Sequence, residues 1–148
     1  MNYRKAVEKD IGQLVELRKK QLIDEGLAPG NNIDMELKRY FEISLRDGSL
    51  ISWLAEKDGK IITTSGICFY QLPPSYSNPT GKNAYVTNMY TQNEYRRRGI
   101  ASDLLKLVVE EARKQDYKIV RLHASKQGKS IYERFGFKNS EGYMVMIL

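Results

Sequence analysis

The sequence between residues 95 and 102 is Tyr95-Arg96-Arg97-Arg98-Gly99-Ile100-Ala101-Ser102. This basic turn lies between a β-prone segment, residues 85–91, and a strongly periodic helix predicted for residues 101–115. A glycine in a tight turn that opens a helix lets neighbouring backbone N–H groups point outward together, at the positive end of the helix dipole. The turn therefore predicts a site for a phosphate or pyrophosphate group. The alternative interpretation is an ordinary solvated loop.

The rest of the chain contains the elements of a mixed sheet. Helices are predicted at residues 10–24, 34–45, 101–115 and 129–135, with Asp10 as the N-cap of the first. Strands are predicted at residues 52–57, 61–70, 85–91, 118–124 and 143–148, with a hairpin turn at Asp58-Gly59. A hairpin followed by a strand–helix–strand crossover gives a mixed sheet that is flanked by helices.

Two motifs in the chain resemble those of the GNAT superfamily of N-acetyltransferases. Residues 96–101, Arg-Arg-Arg-Gly-Ile-Ala, fit the superfamily signature Gln/Arg-x-x-Gly-x-Gly/Ala. Residues 131–137, Ile-Tyr-Glu-Arg-Phe-Gly-Phe, resemble its late tyrosine-bearing helix and the turn after it. Residues 3–6, 53–56 and 66–68 resemble its first three strands, so the resemblance covers nearly all 148 residues.

The resemblance implies a fold and a domain organisation. The expected fold is α/β (α+β), with a GNAT-like mixed, mostly antiparallel central sheet of six to seven strands flanked by about four helices. One acetyltransferase domain is expected to span residues 1–148.

The resemblance also implies acetyl-coenzyme A (acetyl-CoA) as the donor, with coenzyme A as the product. The pyrophosphate is expected on the backbone N–H groups of Arg97, Arg98, Gly99, Ile100, Ala101 and Ser102, with added charge from the side chains of Arg96, Arg97 and Arg98. The pantetheine arm is expected to pair with the backbone of Met89, Tyr90 and Thr91 as an added strand. Many relatives have a cofactor-binding asparagine where this chain has Ser125.

For catalysis, the resemblance places Tyr132 near the thioester sulfur as the general acid. A phenol with a reference pKa of about 10 is protonated at neutral pH and can donate to a departing thiolate. The general base is left open, because the strand at residues 84–91 has no acidic residue. The candidates are a water molecule, His123 and Glu94.

Composition excludes several other classes of protein. The net charge of +6 is compatible with an anionic ligand, but neither a basic stripe nor a nucleic-acid-binding module is present. One histidine and one cysteine, Cys68, argue against a metal site. The single cysteine, with no secretory leader and no long apolar stretch, predicts a cytoplasmic protein without a membrane span. A homodimer is left open.

The sequence therefore predicts an acyltransferase that moves an acetyl group from acetyl-CoA to a primary amine of a small molecule or peptide. The alternative from another class is a non-catalytic acetyl-CoA-binding sensor or interaction module. A third interpretation, a basic nucleic-acid-binding domain, lacks a recognition motif. The acceptor is not identified, because the segments expected to shape its pocket, residues 26–45 and 72–83, carry no specific motif.

Overall fold

The computed structural model describes residues 1–140 and 142–148. In chain order its elements are β1 (Asn2–Lys5), α1 (Ile11–Asp24), α2 (Asp34–Asp47), β2 (Leu50–Lys57), β3 (Lys60–Gln71), β4 (Lys82–Thr91), α3 (Ile100–Lys114), β5 (Val120–Arg121) and α4 (Lys129–Phe135). Short 3₁₀ turns at Glu8–Asp10 and Asn93–Tyr95 precede α1 and follow β4. The four predicted helices are confirmed, with boundaries within two residues of those expected.

The five strands form one sheet in the order β1-β2-β3-β4-β5. The first four are antiparallel neighbours, and β5 lies parallel to β4 after the crossover through α3. The predicted hairpin between β2 and β3 is confirmed. Its two turn residues, Asp58 and Gly59, have φ of 51° and 75°, the left-handed conformation of a tight two-residue turn.

Helices cover both faces of the sheet and divide the core in two. On one face, α1 and α2 bury Leu14, Leu17 and Phe41 against Leu50 and Leu54 of β2. On the other face, the apolar stripe of α3 packs on β3 and β4, and Tyr132 of α4 joins the same cluster. Because the sheet is covered on both sides, its edges are where backbone polar groups remain available.

The predicted number of strands is wrong. Among residues 1–140 and 142–148 there are five strands rather than six to seven. The strand expected at residues 118–124 is reduced to Val120–Arg121, because the chain turns away from β4 after two paired residues. Residues 143–148, also predicted as a strand, pair with no strand in the described part of the chain, and their side chains are exposed.

Asp10 has a different role from the one predicted. Its carboxylate is buried and accepts hydrogen bonds from the guanidinium of Arg4, at 2.8 and 2.9 Å, and from the N–H of Val7, at 2.8 Å. It therefore closes the turn before α1 instead of capping the helix. The guanidinium of Arg4 is the main reason that the pKa of Asp10 lies below its ordinary value.

Candidate active site

The sheet opens between β4 and β5. Among the described residues, Ala84 pairs with Val120 and Tyr85 with Arg121, and beyond these two pairs the strands diverge. Asn88, with φ of 59°, forms a β-bulge in β4, where its carbonyl accepts a hydrogen bond of 2.7 Å from the hydroxyl of Thr64. The bulge bends the strand and redirects the residues after it. The part of β4 that contains Met89, Tyr90 and Thr91 consequently faces the opening without a strand partner on that side.

The basic turn connects this open strand to α3. Gly99 is the N-cap of α3 with φ of 79°, and Arg97 also has a positive φ of 63°. Within the described part of the chain, the backbone N–H groups of residues 97–102 donate to no hydrogen-bond acceptor. A Cβ atom at Gly99 would meet nothing within 4 Å, so the turn is open toward solvent. The predicted glycine turn thus holds a row of free donors at the positive end of a helix.

The three arginines of the turn differ in how far they are already engaged. The guanidinium of Arg96 pairs with Asp24 of α1 at 2.8 Å and donates to the carbonyl of Thr91 at 2.9 Å. Arg98 donates to the carbonyl of Glu94 at 2.9 Å. Arg97 is exposed, and its side chain forms no hydrogen bond to any described residue. Arg96 therefore connects the turn to α1 and β4, whereas the guanidinium of Arg97 remains available to a ligand.

Tyr132 is buried where α4 meets the opening. Burial raises the pKa of its phenol to about 12, and the negative charge of Glu25 and the nearby Tyr85 add to the effect. Its ring lies so close to Gly128 that a Cβ there would approach a ring carbon to 2.8 Å. Tyr132, the predicted general acid, therefore keeps its phenolic proton at neutral pH, and the turn that begins α4 holds its ring in place.

Ser125 stands at the start of that turn. Its hydroxyl oxygen accepts a hydrogen bond of 3.1 Å from the N–H of Gly128, and its carbonyl accepts one of 3.0 Å from the N–H of Lys129. The hydroxyl proton remains free to donate. Ser125 thus supports the turn below Tyr132, and it retains one donor for a ligand.

A cavity of about 480 Å³ lies along β5 and contains Tyr85, His123, Tyr132 and Glu133 in its wall. The hydroxyl of Tyr85 forms a short hydrogen bond with Nδ1 of His123, which joins β4 to the segment after β5 across the opening. Glu94 is not part of this wall. A second cavity of similar volume, between α1 and α2, contains none of the predicted site residues.

The end of α1 contributes residues that the sequence did not single out. Arg18 donates to Gln21 at 3.1 Å, and Gln21 donates in turn to the carboxylate of Glu25 at 3.1 Å. Glu25 raises the pKa of both Tyr85 and Tyr132, although burial is the larger cause for each. No local motif marks these residues, and their separation in sequence from β4 and α4 gives no sign that Glu25 lies near enough to influence the two tyrosines. The only signal is the acidic pair Asp24-Glu25 before the helix-ending Gly26.

The described residues contain no cluster of three or more side chains suited to hold a metal ion. None of the helices in the described ranges has the length and hydropathy needed to cross a membrane.

Comparison with known proteins agrees with this geometry. Residues 35–145 match the family described as acetyltransferase (GNAT) domain. The fold is similar to that of a predicted acetyltransferase from Clostridium acetobutylicum, whose crystal structure was determined with acetyl-CoA. The two sequences are 44% identical, the TM-score is 0.95, and the match covers 99% of this chain and 95% of that chain. The search of curated proteins found no match.

Two more distant structures share the fold. A GCN5-related N-acetyltransferase from Ralstonia eutropha JMP134 is 22% identical with a TM-score of 0.87, over 99% of this chain and 97% of that chain. An aminoglycoside antibiotic 6'-N-acetyltransferase from Acinetobacter haemolyticus is 16% identical with a TM-score of 0.78, over 100% of this chain and 98% of that chain. At such identities the similarity shows the fold alone.

Proposed function

We propose that this chain, which belongs to the GNAT acetyltransferase family, moves the acetyl group of acetyl-CoA directly to a primary amine. The observation that carries the proposal is the row of free N–H donors at residues 97–102, next to the open edge of β4. Free amides at a helix N-terminus suit a pyrophosphate, and an open strand edge suits the amides of a pantetheine arm. One ligand that carries both groups explains why these two features adjoin.

Each predicted binding residue has a proposed part in this site. Residues 97–102 donate backbone hydrogen bonds to the pyrophosphate, and the free guanidinium of Arg97 adds charge. Arg96 and Arg98 act mainly by holding the turn, through Asp24 and the carbonyl of Glu94. The stretch Met89-Tyr90-Thr91 borders the opening, where the backbone groups that point away from β3 can pair with the pantetheine arm, and the free hydroxyl proton of Ser125 donates to the same ligand.

When bound, acetyl-CoA supplies an activated thioester, from which a neutral amine takes the acetyl group as the C–S bond breaks and coenzyme A departs as a thiolate. Tyr132 donates a hydrogen bond to that sulfur. With a pKa of about 12 it is protonated throughout the physiological range. Complete proton transfer to a thiolate whose conjugate thiol has a reference pKa of about 8.5 is uphill by ~5 kcal/mol, so Tyr132 stabilises the thiolate mainly as a hydrogen-bond donor.

His123 is the base that the geometry favours over Glu94. His123 shares the cavity wall with Tyr132, whereas Glu94 lies outside it. A hydrogen bond between Nδ1 of His123 and the hydroxyl of Tyr85 fixes the ring at the mouth of the opening, and when Nδ1–H is the donor, Nε2 is free to accept a proton. Its exposed position lets it pass a proton from the amine to solvent, either directly or through a water molecule.

The acceptor end of the site carries charges of both signs. Glu133 belongs to the cavity wall, and the carboxylate of Glu25 acts on both Tyr85 and Tyr132. Arg121, Lys129 and Lys138 belong to the same wall, so its net charge gives no preference for a cationic acceptor.

The alternative is an acetyl-CoA-binding sensor without turnover. Two observations favour it: β4 carries no carboxylate, and the high pKa of Tyr132 makes it a weak acid. The sensor uses the same cofactor site, so only turnover distinguishes the two functions.

The deciding experiment measures coenzyme A release with a thiol reagent while the purified protein is offered a panel of amines. The panel contains polyamines, lysine peptides, peptides with free N-termini and aminoglycosides. We expect turnover with at least one cationic amine, and none with neutral acyl acceptors of similar size. Binding of acetyl-CoA without turnover on any amine would support the sensor, and no binding at all would overturn both functions.

A further inference from the structure

The inward face of α1 carries a row of polar side chains toward the end of the helix. Leu14, Arg18, Gln21 and Glu25 follow one another at intervals of four, three and four residues, so they lie on one side of the helix. Leu14 and Gln21 are buried, which shows that this side is turned toward the protein interior. Arg18 lies between them and is half-buried. The helix therefore places a cationic side chain on its inward face.

Most of the hydrogen-bonding capacity of Arg18 is unused. Among the described residues, its guanidinium donates one hydrogen bond, of 3.1 Å, to the neutral amide oxygen of Gln21. The ion pairs of α1 are formed by Lys19 and Asp24 instead, and none includes Arg18. A guanidinium has five N–H donors in a planar fork, and a charge withdrawn from water is normally paired. Arg18 thus offers a cation and several donors to a ligand.

The same row leads to the tyrosines of the candidate active site. Tyr85 is the cross-strand partner of Cys68, which packs against the core beneath α1 and α2, so the side chain of Tyr85 is on the face of the sheet that α1 covers. Burial is the main reason that the pKa of Tyr85 is raised, and the charge of Glu25 adds to the rise while that of Arg18 opposes it. Glu25 acts on Tyr132 as well. Both charged residues of the row therefore lie near the phenols of the site.

The two charged residues of the row are well separated. Arg18 precedes Glu25 by seven residues, which is about 10 Å along a helix axis. Glu25 is near Tyr132, where the thioester is expected, so Arg18 lies farther from the reacting atoms. A group of the acceptor that reaches Arg18 is consequently several bonds away from the amine.

We propose that Arg18 binds a carboxylate of the acceptor, so that the acceptor is a molecule with its primary amine at one end and a carboxylate at the other. The planar guanidinium matches the two oxygens of a carboxylate, and one cation balances its single negative charge. A phosphate dianion would leave one charge unbalanced at this position. The proposal rests on the proposed acetyl transfer and names the class of its acceptor.

A purely structural role for Arg18 makes a different prediction. In that role the guanidinium only supports the buried amide of Gln21. Its loss would then lower stability, or the activity on every amine, by the same factor. Recognition of a carboxylate instead makes the loss depend on the acceptor. The preference between two matched acceptors therefore separates the two roles.

The test compares acids with their carboxamides as acceptors. The probes are γ-aminobutyrate, ε-aminocaproate and trialanine, each with its carboxamide, which keeps the length and removes the charge. We expect kcat/KM to be at least about tenfold higher for the acid in the best pair, because hydrogen bonds to charged groups contribute that much or more. Arg18→Gln should abolish the preference, and Arg18→Glu should reverse it. The affinity for acetyl-CoA should be unchanged in both, which verifies that they are folded.

Arg39→Gln is the matched control. Arg39 is an exposed arginine of α2, so this variant loses the same charge away from the row and should keep the preference for acids. Equal rates for acid and carboxamide in the wild type, or a preference that survives Arg18→Gln, would overturn the proposal.

The proposed function can fail separately. If none of these amines is acetylated and the panel above also gives no turnover, acetyl transfer itself is refuted. Calorimetric binding of the same pairs to the coenzyme A complex then decides the role of Arg18. Tighter binding of the acid that is lost in Arg18→Gln would support carboxylate recognition without turnover. Binding of neither form, or of both equally, would overturn it.

Discussion

Polar groups beside β1, at one end of the sheet, are paired within the chain, whereas those beside β4, toward the other end, are left free. Beside β1, Arg4 donates to Asp10 and to Glu56, at distances of 2.8 to 3.0 Å, and all three charges are satisfied within the chain. Beside β4, the strands part, and the N–H groups of residues 97–102 have no acceptor among the described residues. The satisfied end stabilises the fold, and the unsatisfied end is available to a ligand. We call the side of β1, where polar groups are paired, the closed end of the sheet, and the side of β4, where they are free, the open end.

The largest expected effect is the loss of acetyl-CoA affinity when the open end is disrupted. Gly99→Asp places a negative charge and a Cβ where the pyrophosphate should lie. Loss of two hydrogen bonds to a charged group, each about 1.5–3 kcal/mol, should weaken acetyl-CoA binding on the order of 10³-fold, as measured by calorimetry. The space around Gly99 is open, so the protein should remain folded.

Gly48→Asp is the matched control for this variant. Gly48 has the same φ of 79° and also has nothing within 4 Å of a Cβ, but it ends α2 away from the turn. The cost of a left-handed aspartate is therefore the same in both variants. Equal loss of cofactor affinity in both would remove the turn from the binding site.

The second largest effect is the loss of stability when the ion pairs of the closed end are disrupted. Arg4→Met leaves the buried carboxylate of Asp10 without its partner, which should lower the free energy of unfolding by roughly 2–3 kcal/mol. Cofactor affinity should be unchanged, because the two ends share no residue. Urea denaturation and calorimetry measure the two quantities. In the control Lys38→Met, which removes an exposed pair of 3.8 Å with Glu42, stability should change by less than about 0.5 kcal/mol.

The third effect concerns the buried phenol at the open end. Tyr132→Phe keeps the ring and its packing but removes the donor, so kcat should fall about tenfold, while the KM for acetyl-CoA changes little. Steady-state kinetics with a saturating amine test this. Tyr117→Phe, in a ring that packs on Phe69 at 4.6 Å, should leave kcat unchanged. A loss of cofactor binding without a change in kcat would make Tyr132 a binding residue instead.

The smallest effect is the pH dependence of stability that arises from Glu56 at the closed end. Hydrogen bonds from Arg4 and Asn2 lower the pKa of Glu56 from 4.5 to about 2. A carboxylate with a lowered pKa in the folded state stabilises the protein above its unfolded pKa, and this contribution is lost as the pH falls toward the folded value. Stability should therefore decline between about pH 4.5 and pH 2. Glu56→Gln should decline less steeply, and an identical slope would exclude Glu56 from the acid response.

The sequence was sufficient for those features that depend on neighbouring residues. Helical periodicity fixed α4 at Lys129–Phe135, and the Asp58-Gly59 pair fixed the hairpin. The glycine turn before α3 was predictable for the same reason, because its backbone conformation is set locally. These elements need no information from distant parts of the chain.

The features that the sequence did not predict depend on partners that are distant along the chain. The pairing of Arg96 with Asp24 and the action of Glu25 on Tyr132 arise only when α1 lies beside the opening. The apolar run at residues 143–148 indicates a strand, but no local pattern shows whether that strand finds a pairing partner. The early end of β5 likewise follows from the divergence of the sheet, which no local pattern encodes.

The most direct test that the open end of the sheet binds the cofactor is an NMR titration of the labelled protein with acetyl-CoA, in which each backbone amide is followed. The free N–H groups of residues 97–102 should show the largest shifts, followed by those of residues 89–91, and neither set should move in Gly99→Asp. The amides around Arg4 and Asp10 should stay in place. Largest shifts at the cavity between α1 and α2, with the amides of residues 97–102 unmoved, would contradict the claim that the open end of the sheet holds the cofactor.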